Sequence, residues 1–95
     1  MELEEIIADI HALNKKLERF EEKYGLLSET LYEMYLAGEE PEDENWVADF
    51  ALWAGLYEIR LERERMYRQT IQHLLRPRHS IWPHLVPVGV SSEPA

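Results

Sequence analysis

Histidines, paired glutamates and a run of arginines are the residues of this chain best suited to chemistry, and their spacing decides what they can do. His79 and His84 flank Trp82 as metal ligands would, but Pro83 lies between them and their separation matches no helical i,i+4 ligand pair. The chain has no cysteine, which excludes thiolate catalysis, disulfide frameworks and cysteine-bearing zinc sites. His11 and His73 fall on charged or mixed helical faces, where a solvated histidine is the default. Glu18 with Glu22 and Glu58 with Glu62 have the separation that brings two carboxylates together on a helix. Sixteen glutamates produce such pairs by chance, however, and acid–base work needs a pocket that nothing here predicts. No serine sits in a nucleophile elbow and no glycine-rich loop is present to cradle phosphate. No catalytic group, metal or cofactor is expected, so the chain reads as a non-enzyme.

Arg60, Arg63, Arg65 and Arg68 alternate with Glu58, Glu62 and Glu64. Glu64 and Arg68 stand in the favourable i,i+4 order on a helix, and Arg60 and Glu64 in the reverse order. Simple intrahelical pairing on a solvated face is one expectation. The sharper one is that Arg60 and Glu64 form a polar layer that fixes helix register or partner identity.

Ninety-five residues, 45% of them apolar, make one domain at most and argue against wholesale disorder. The formal charge of −9 is unevenly placed. Residues 1–44 hold fourteen acids and four bases, a net of −10, while residues 45–95 hold five acids and six arginines, a net of +1. This is the wrong sign for gripping phosphate backbones, so no direct nucleic-acid binding is expected. Sixteen glutamates against three aspartates, with only four asparagines and glutamines, is a bias compatible with a thermophilic source. Met1-Glu2-Leu3-Glu4-Glu5 opens with acids where a targeting peptide needs bases, and no apolar run has the length of a membrane span. A soluble, cytoplasmic chain without a membrane partner is expected.

Leu3, Ile6, Ile10, Leu13, Leu17, Phe20 and Tyr24 repeat with three-four spacing and predict a first helix over about residues 2–24 with a heptad seam. Lys16 and Glu21 flank that seam where coiled-coil neighbours pair, and Lys23 with Gly25 supplies a basic last turn and a left-handed stop. About three heptads are marginal alone, so the seam needs a partner helix, either within the chain or in a homodimer through the heptad helices. Ser28 is expected to cap a short second helix, 28–37, closed by Gly38. Residues 39–44 contain five acids and Pro41, and read as a loop ending in a cap made by Asp43 or Asn45. That loop is either a solvated turn or a docking surface for a basic partner.

A third helix is predicted over 45–75, with the seam Trp46, Phe50, Trp53, Tyr57, Arg60, Glu64, Tyr67, Ile71 and Leu74. From Trp46 to Leu61 it is apolar over most of its circumference, which calls for cover on more than one side. Gly55, among Ala48, Ala51 and Ala54, is expected at a crossing of the first and third helices, since an interior glycine costs about 1 kcal/mol unless packing compensates. After Arg76 three prolines in eleven residues forbid helix and central strand. The tail, 77–95, reads as extended, and Ile81, Trp82, Leu85 and Val86 make it too apolar for a solvated linker. It needs a groove on its own bundle or on another chain. The expected architecture is all-α: a helical hairpin of two long helices with a short middle helix, a three-helix arrangement over 1–76, and an extended Pro-rich C-terminal tail.

Phe20-Glu21-Glu22-Lys23-Tyr24-Gly25-Leu26-Leu27-Ser28-Glu29-Thr30-Leu31-Tyr32, followed by Gly38-Glu39-Glu40 and Trp53-Ala54-Gly55-Leu56-Tyr57, resembles a group of short acidic helical proteins of archaea and bacteria. Those are often the antitoxin-like member of small toxin–antitoxin gene pairs. The resemblance covers residues 15–68, carries mostly helix punctuation and aromatic core, and leaves out the tail. It implies a small basic toxin-like protein, such as a nuclease, as the partner. An acidic chain can meet such a surface by electrostatic steering and aromatic burial. Trp46, Phe50 and Trp53 are the candidate anchors, with Trp82 and its neighbour Ile81 in the tail, and Tyr57, Arg60 and Glu64 continue the same seam. Many antitoxins also bind operator DNA, but no basic domain or helix-turn-helix reader is visible. A homo-oligomeric helical scaffold accounts for the heptad seam equally well, and an acidic nucleic-acid mimic accounts for the charged half.

Overall fold

The computed structural model describes residues 1–75, and the tail with Ile81 and Trp82 lies outside the described residues. Among the described residues there are three α-helices: α1, Leu3–Tyr24; α2, Ser28–Leu36; and α3, Val47–Leu75, which grows out of a 3-10 turn at Glu44–Trp46.

Local sequence signals account for the helix boundaries. Glu5 reaches back to accept the Glu2 backbone N–H at 2.9 Å, filling one of the orphan donors at the start of α1. At its other end Gly25 takes φ 67° and donates its N–H to the Glu21 carbonyl at 2.8 Å, a left-handed stop that a Cβ would strain. Gly38, at φ 82°, ends α2 in the same way. Its N–H donates to the Tyr35 carbonyl and that of Glu39 to the Met34 carbonyl, the paired bonds of a Schellman motif. Of the two caps expected for the last helix, Asp43 is the one used: its carboxylate accepts the Asn45 N–H at 2.9 Å.

Ser28 does not cap α2 as expected. Leu27 holds the cap position and Ser28 is the first helical residue, nearly inaccessible to solvent. Its backbone N–H, which has no acceptor within α2, is instead met by the Glu21 carboxylate from α1, at 2.9 Å. Glu21 therefore serves its own chain rather than a coiled-coil neighbour.

The heptad seam of α1 is used within the chain. Ile6, Leu13 and Leu17 are buried, α3 runs antiparallel alongside, and α2 lies across one end of the hairpin. That end holds the main core, Leu17, Leu31, Trp53 and Ala54, with Phe20, Tyr24, Phe50 and Tyr57 packed around it. Trp53 sits at its centre, stacked on Phe20 at 5.4 Å between ring centroids and met edge-on by Phe50 at 5.8 Å. One expectation fails here. Gly55 is not at a helix crossing: a Cβ built there meets nothing within 4 Å. Buried Ala54 provides the small-residue contact instead, one position back in the helix.

Candidate functional site

Polar groups at the α2 end of the hairpin form two clusters. In the first, the buried Trp53 donates Nε1–H to Ser28 Oγ at 2.8 Å, and that hydroxyl donates to Glu21 Oε2 at 2.7 Å. One serine thereby links all three helices. In the second, Asp49 accepts hydrogen bonds from Lys23 Nζ, at 2.8 Å, and from the Tyr24 hydroxyl. These bonds, Lys23 first and Tyr24 second, hold the Asp49 carboxyl below the usual carboxylate range. The same carboxylate raises Lys23 and pushes the Tyr24 phenol up. Tyr32 is likewise raised by its hydrogen bond to Glu58, at 3.0 Å. These three acids, Glu21, Asp49 and Glu58, accept from donors within the chain, an arrangement that ties the helices together. No group of three or more His, Asp or Glu side chains able to hold a metal occurs among the described residues.

The expected seam residues, from Trp46 in the 3-10 turn to Glu64 in α3, fall into four situations. Trp53 is fully buried, at 0% exposure, so it is a core residue and not a surface anchor, because its indole is consumed by the hairpin itself. Phe50 and Tyr57 are half-buried at the edge of that core, Tyr57 tilted against Tyr32 of α2 at 5.2 Å. Trp46 remains 42% exposed, leaning on Tyr24 by one ring edge. Arg60 and Glu64 pair with each other along the helix at 2.8 Å, and the guanidinium lies 5.9 Å from the Tyr57 ring centre. The Arg60 Nε is buried without a hydrogen-bond partner. Among the described residues neither bonds to another helix, whereas Arg63, one turn along, bridges to Asp9 of α1 at 3.1 Å. At this level of the hairpin the polar tie between α1 and α3 is made by Arg63, as Asp49 makes it near the α2 end.

What sequence reasoning missed is a groove between α2 and the start of α3. Leu31, Met34 and Tyr35 form one wall, Val47, Phe50 and Ala51 the other, and Gly38–Pro41 closes the end, around a volume of about 290 Å³. Tyr35 is 47% exposed and Val47 42%, and Leu36 and Leu52 stand exposed nearby on the same two helices. The loop that closes the groove continues into Glu39-Glu40-Pro41-Glu42-Asp43-Glu44, and Glu39 and Glu40 line the cavity. An apolar floor with an acidic rim is thereby assembled from residues that, Phe50 apart, the heptad seam does not contain. The available signal was the surplus of apolar residues on α3 away from its seam, at Val47, Ala51 and Leu52.

No helix among the described residues is long and apolar enough to cross a membrane. No protein-family model, curated protein or solved structure matches the chain.

Proposed function

We propose that this chain is a non-catalytic protein-binding module that covers a small basic protein, in the manner of the antitoxin-like members of prokaryotic toxin–antitoxin pairs. The observation that carries the reading is the groove between α2 and α3, apolar inside and edged by acids. Such a surface suits a partner that presents an apolar side chain flanked by lysine or arginine. Long-range attraction to the acidic loop raises the encounter rate, and burial of the apolar side chain slows dissociation. Trp46, exposed next to Val47, extends the apolar contact. The acidic excess also supports a partner of opposite sign over a nucleic acid.

A coiled-coil scaffold is the weaker alternative, because α1 already packs its seam against α3 of the same chain. Purification of a tagged full-length chain from its own cells tests the proposal. A basic companion at equal stoichiometry is expected, released by high salt; recovery of the chain alone contradicts the reading.

A further inference from the structure

The groove between α2 and α3 restricts the shape of what enters it as well as the charge. Its walls, residues 31–35 of α2 and 47–51 of α3, are each about one helical turn long, roughly 6 Å at 1.5 Å per residue. That length takes two apolar side chains one turn apart. The walls offer no backbone partners. Both are helical, with their carbonyl and N–H groups engaged in their own ladders, and the N–H groups of Gly38 and Glu39 at the closed end are taken by the Tyr35 and Met34 carbonyls. Among the described residues there is no strand whose edge could pair with an extended segment. An occupant must therefore arrive with its own backbone hydrogen bonds made. A bare peptide group pressed onto Leu31, Met34 and Phe50 would lose water and find no replacement.

The charge around the groove is one-sided. Residues 24–59 hold nine acids and no lysine, arginine or histidine, and Lys23, at the edge of that stretch, is engaged by Asp49. Glu39 and Glu40 line the closed end, and among the described residues neither pairs with a cation. The C-terminus of α2 brings the negative pole of its dipole to the same end. A cation is favoured there, next to an apolar floor.

We propose that the groove receives an amphipathic helix of the basic partner. Apolar residues at i and i+3 or i+4 of that helix sit between Leu31, Met34 and Phe50, and a lysine or arginine one turn farther on meets Glu39 and Glu40. Tyr35, 47% exposed in the same wall, supplies an aromatic ring for that cation. The proposal rests on the reading of the chain as a binding module for a basic protein, and adds the form of the segment that it grips.

Selection from a random peptide display library tests this, with the full chain as target and the Val47→Arg chain as counter-target. The surviving peptides are expected to carry apolar residues at i and i+3 or i+4 with lysine or arginine one turn away, and to gain helical circular dichroism on binding. They should shift the amide resonances of Leu31, Met34 and Ala51, and a proline placed in mid-peptide should weaken them roughly tenfold or more. Glu39→Gln with Glu40→Gln should weaken them by a similar factor at low salt and by less at high salt. Peptides with alternating apolar residues that tolerate proline would overturn the helix. So would peptides without bases, or a selection that returns no binder dependent on the groove. In any of those cases, a co-purifying companion that still binds Val47→Arg more weakly than the wild type leaves the docking surface standing and removes only the helix; a companion indifferent to Val47→Arg removes both.

Discussion

Trp53 Nε1 donates to Ser28 Oγ across 2.8 Å inside the core, and this one bond joins the second turn of α3 to the first residue of α2. Ser28 then donates to Glu21 of α1. Replacing Ser28 with alanine leaves a buried indole N–H with no acceptor and takes one donor from Glu21. Ser28→Ala should lower unfolding stability by about 1–3 kcal/mol, read as a lower urea midpoint at unchanged slope. An unchanged midpoint would mean that the link contributes nothing.

Gly55 offers the opposite outcome. It lies inside α3 with open space where a Cβ would go, so alanine there gains helix propensity and meets no obstacle. Gly55→Ala should raise stability by about 0.5–1 kcal/mol, seen as a higher thermal midpoint. A helix crossing at Gly55 would give a loss instead.

The Asp49 cluster sets a pH dependence. Its carboxyl is held below the ordinary carboxylate value in the folded chain by the hydrogen bonds from Lys23 and Tyr24. The resulting stability is therefore present above its unfolded pKa of about 3.9 and is lost as pH falls through the lower folded value. Lys23 and Tyr24 are raised, so their share is intact below about 10 and disappears as pH rises through the folded values. Urea titrations of the wild type and Asp49→Asn should differ most near neutrality and converge as pH falls through the lowered folded value. A constant gap between the two across the acid range would contradict the assignment.

Arg60 and Glu64 test whether the middle of α3 encodes partner identity. Their bond is intrahelical and in the less favourable i,i+4 order, worth at most about 0.5 kcal/mol. Arg60→Leu with Glu64→Leu should leave partner affinity and oligomeric state unchanged and stability equal or slightly higher. Loss of partner binding in the double variant would restore the polar-layer reading.

The hairpin was legible in the sequence because the three-four spacing of Leu3 to Tyr24 fixes one face of α1, and Gly25 and Gly38 demand left-handed backbone. The roles of individual residues were less so. Trp53 looked like a surface anchor because a heptad pattern marks a buried face without saying whether the burial is within the chain or against another. Ser28 looked like a cap because its type favours caps, while its actual partners lie 7 and 25 residues away. The groove between α2 and α3 depends on how a nine-residue helix crosses the hairpin, and that angle has no one-dimensional signal.

The central claim is that a basic partner docks in the acid-edged groove between α2 and α3. Calorimetric titration of the co-purifying companion into the wild type and into Val47→Arg, at low and high salt, addresses it most directly. Val47 lines the groove and is 42% exposed, so the substitution puts like charge at the docking surface with little cost to the core. The account predicts at least tenfold weaker binding to Val47→Arg, about 1.4 kcal/mol, and wild-type affinity that falls with salt. Equal affinity of the two proteins, or binding indifferent to salt, would contradict it.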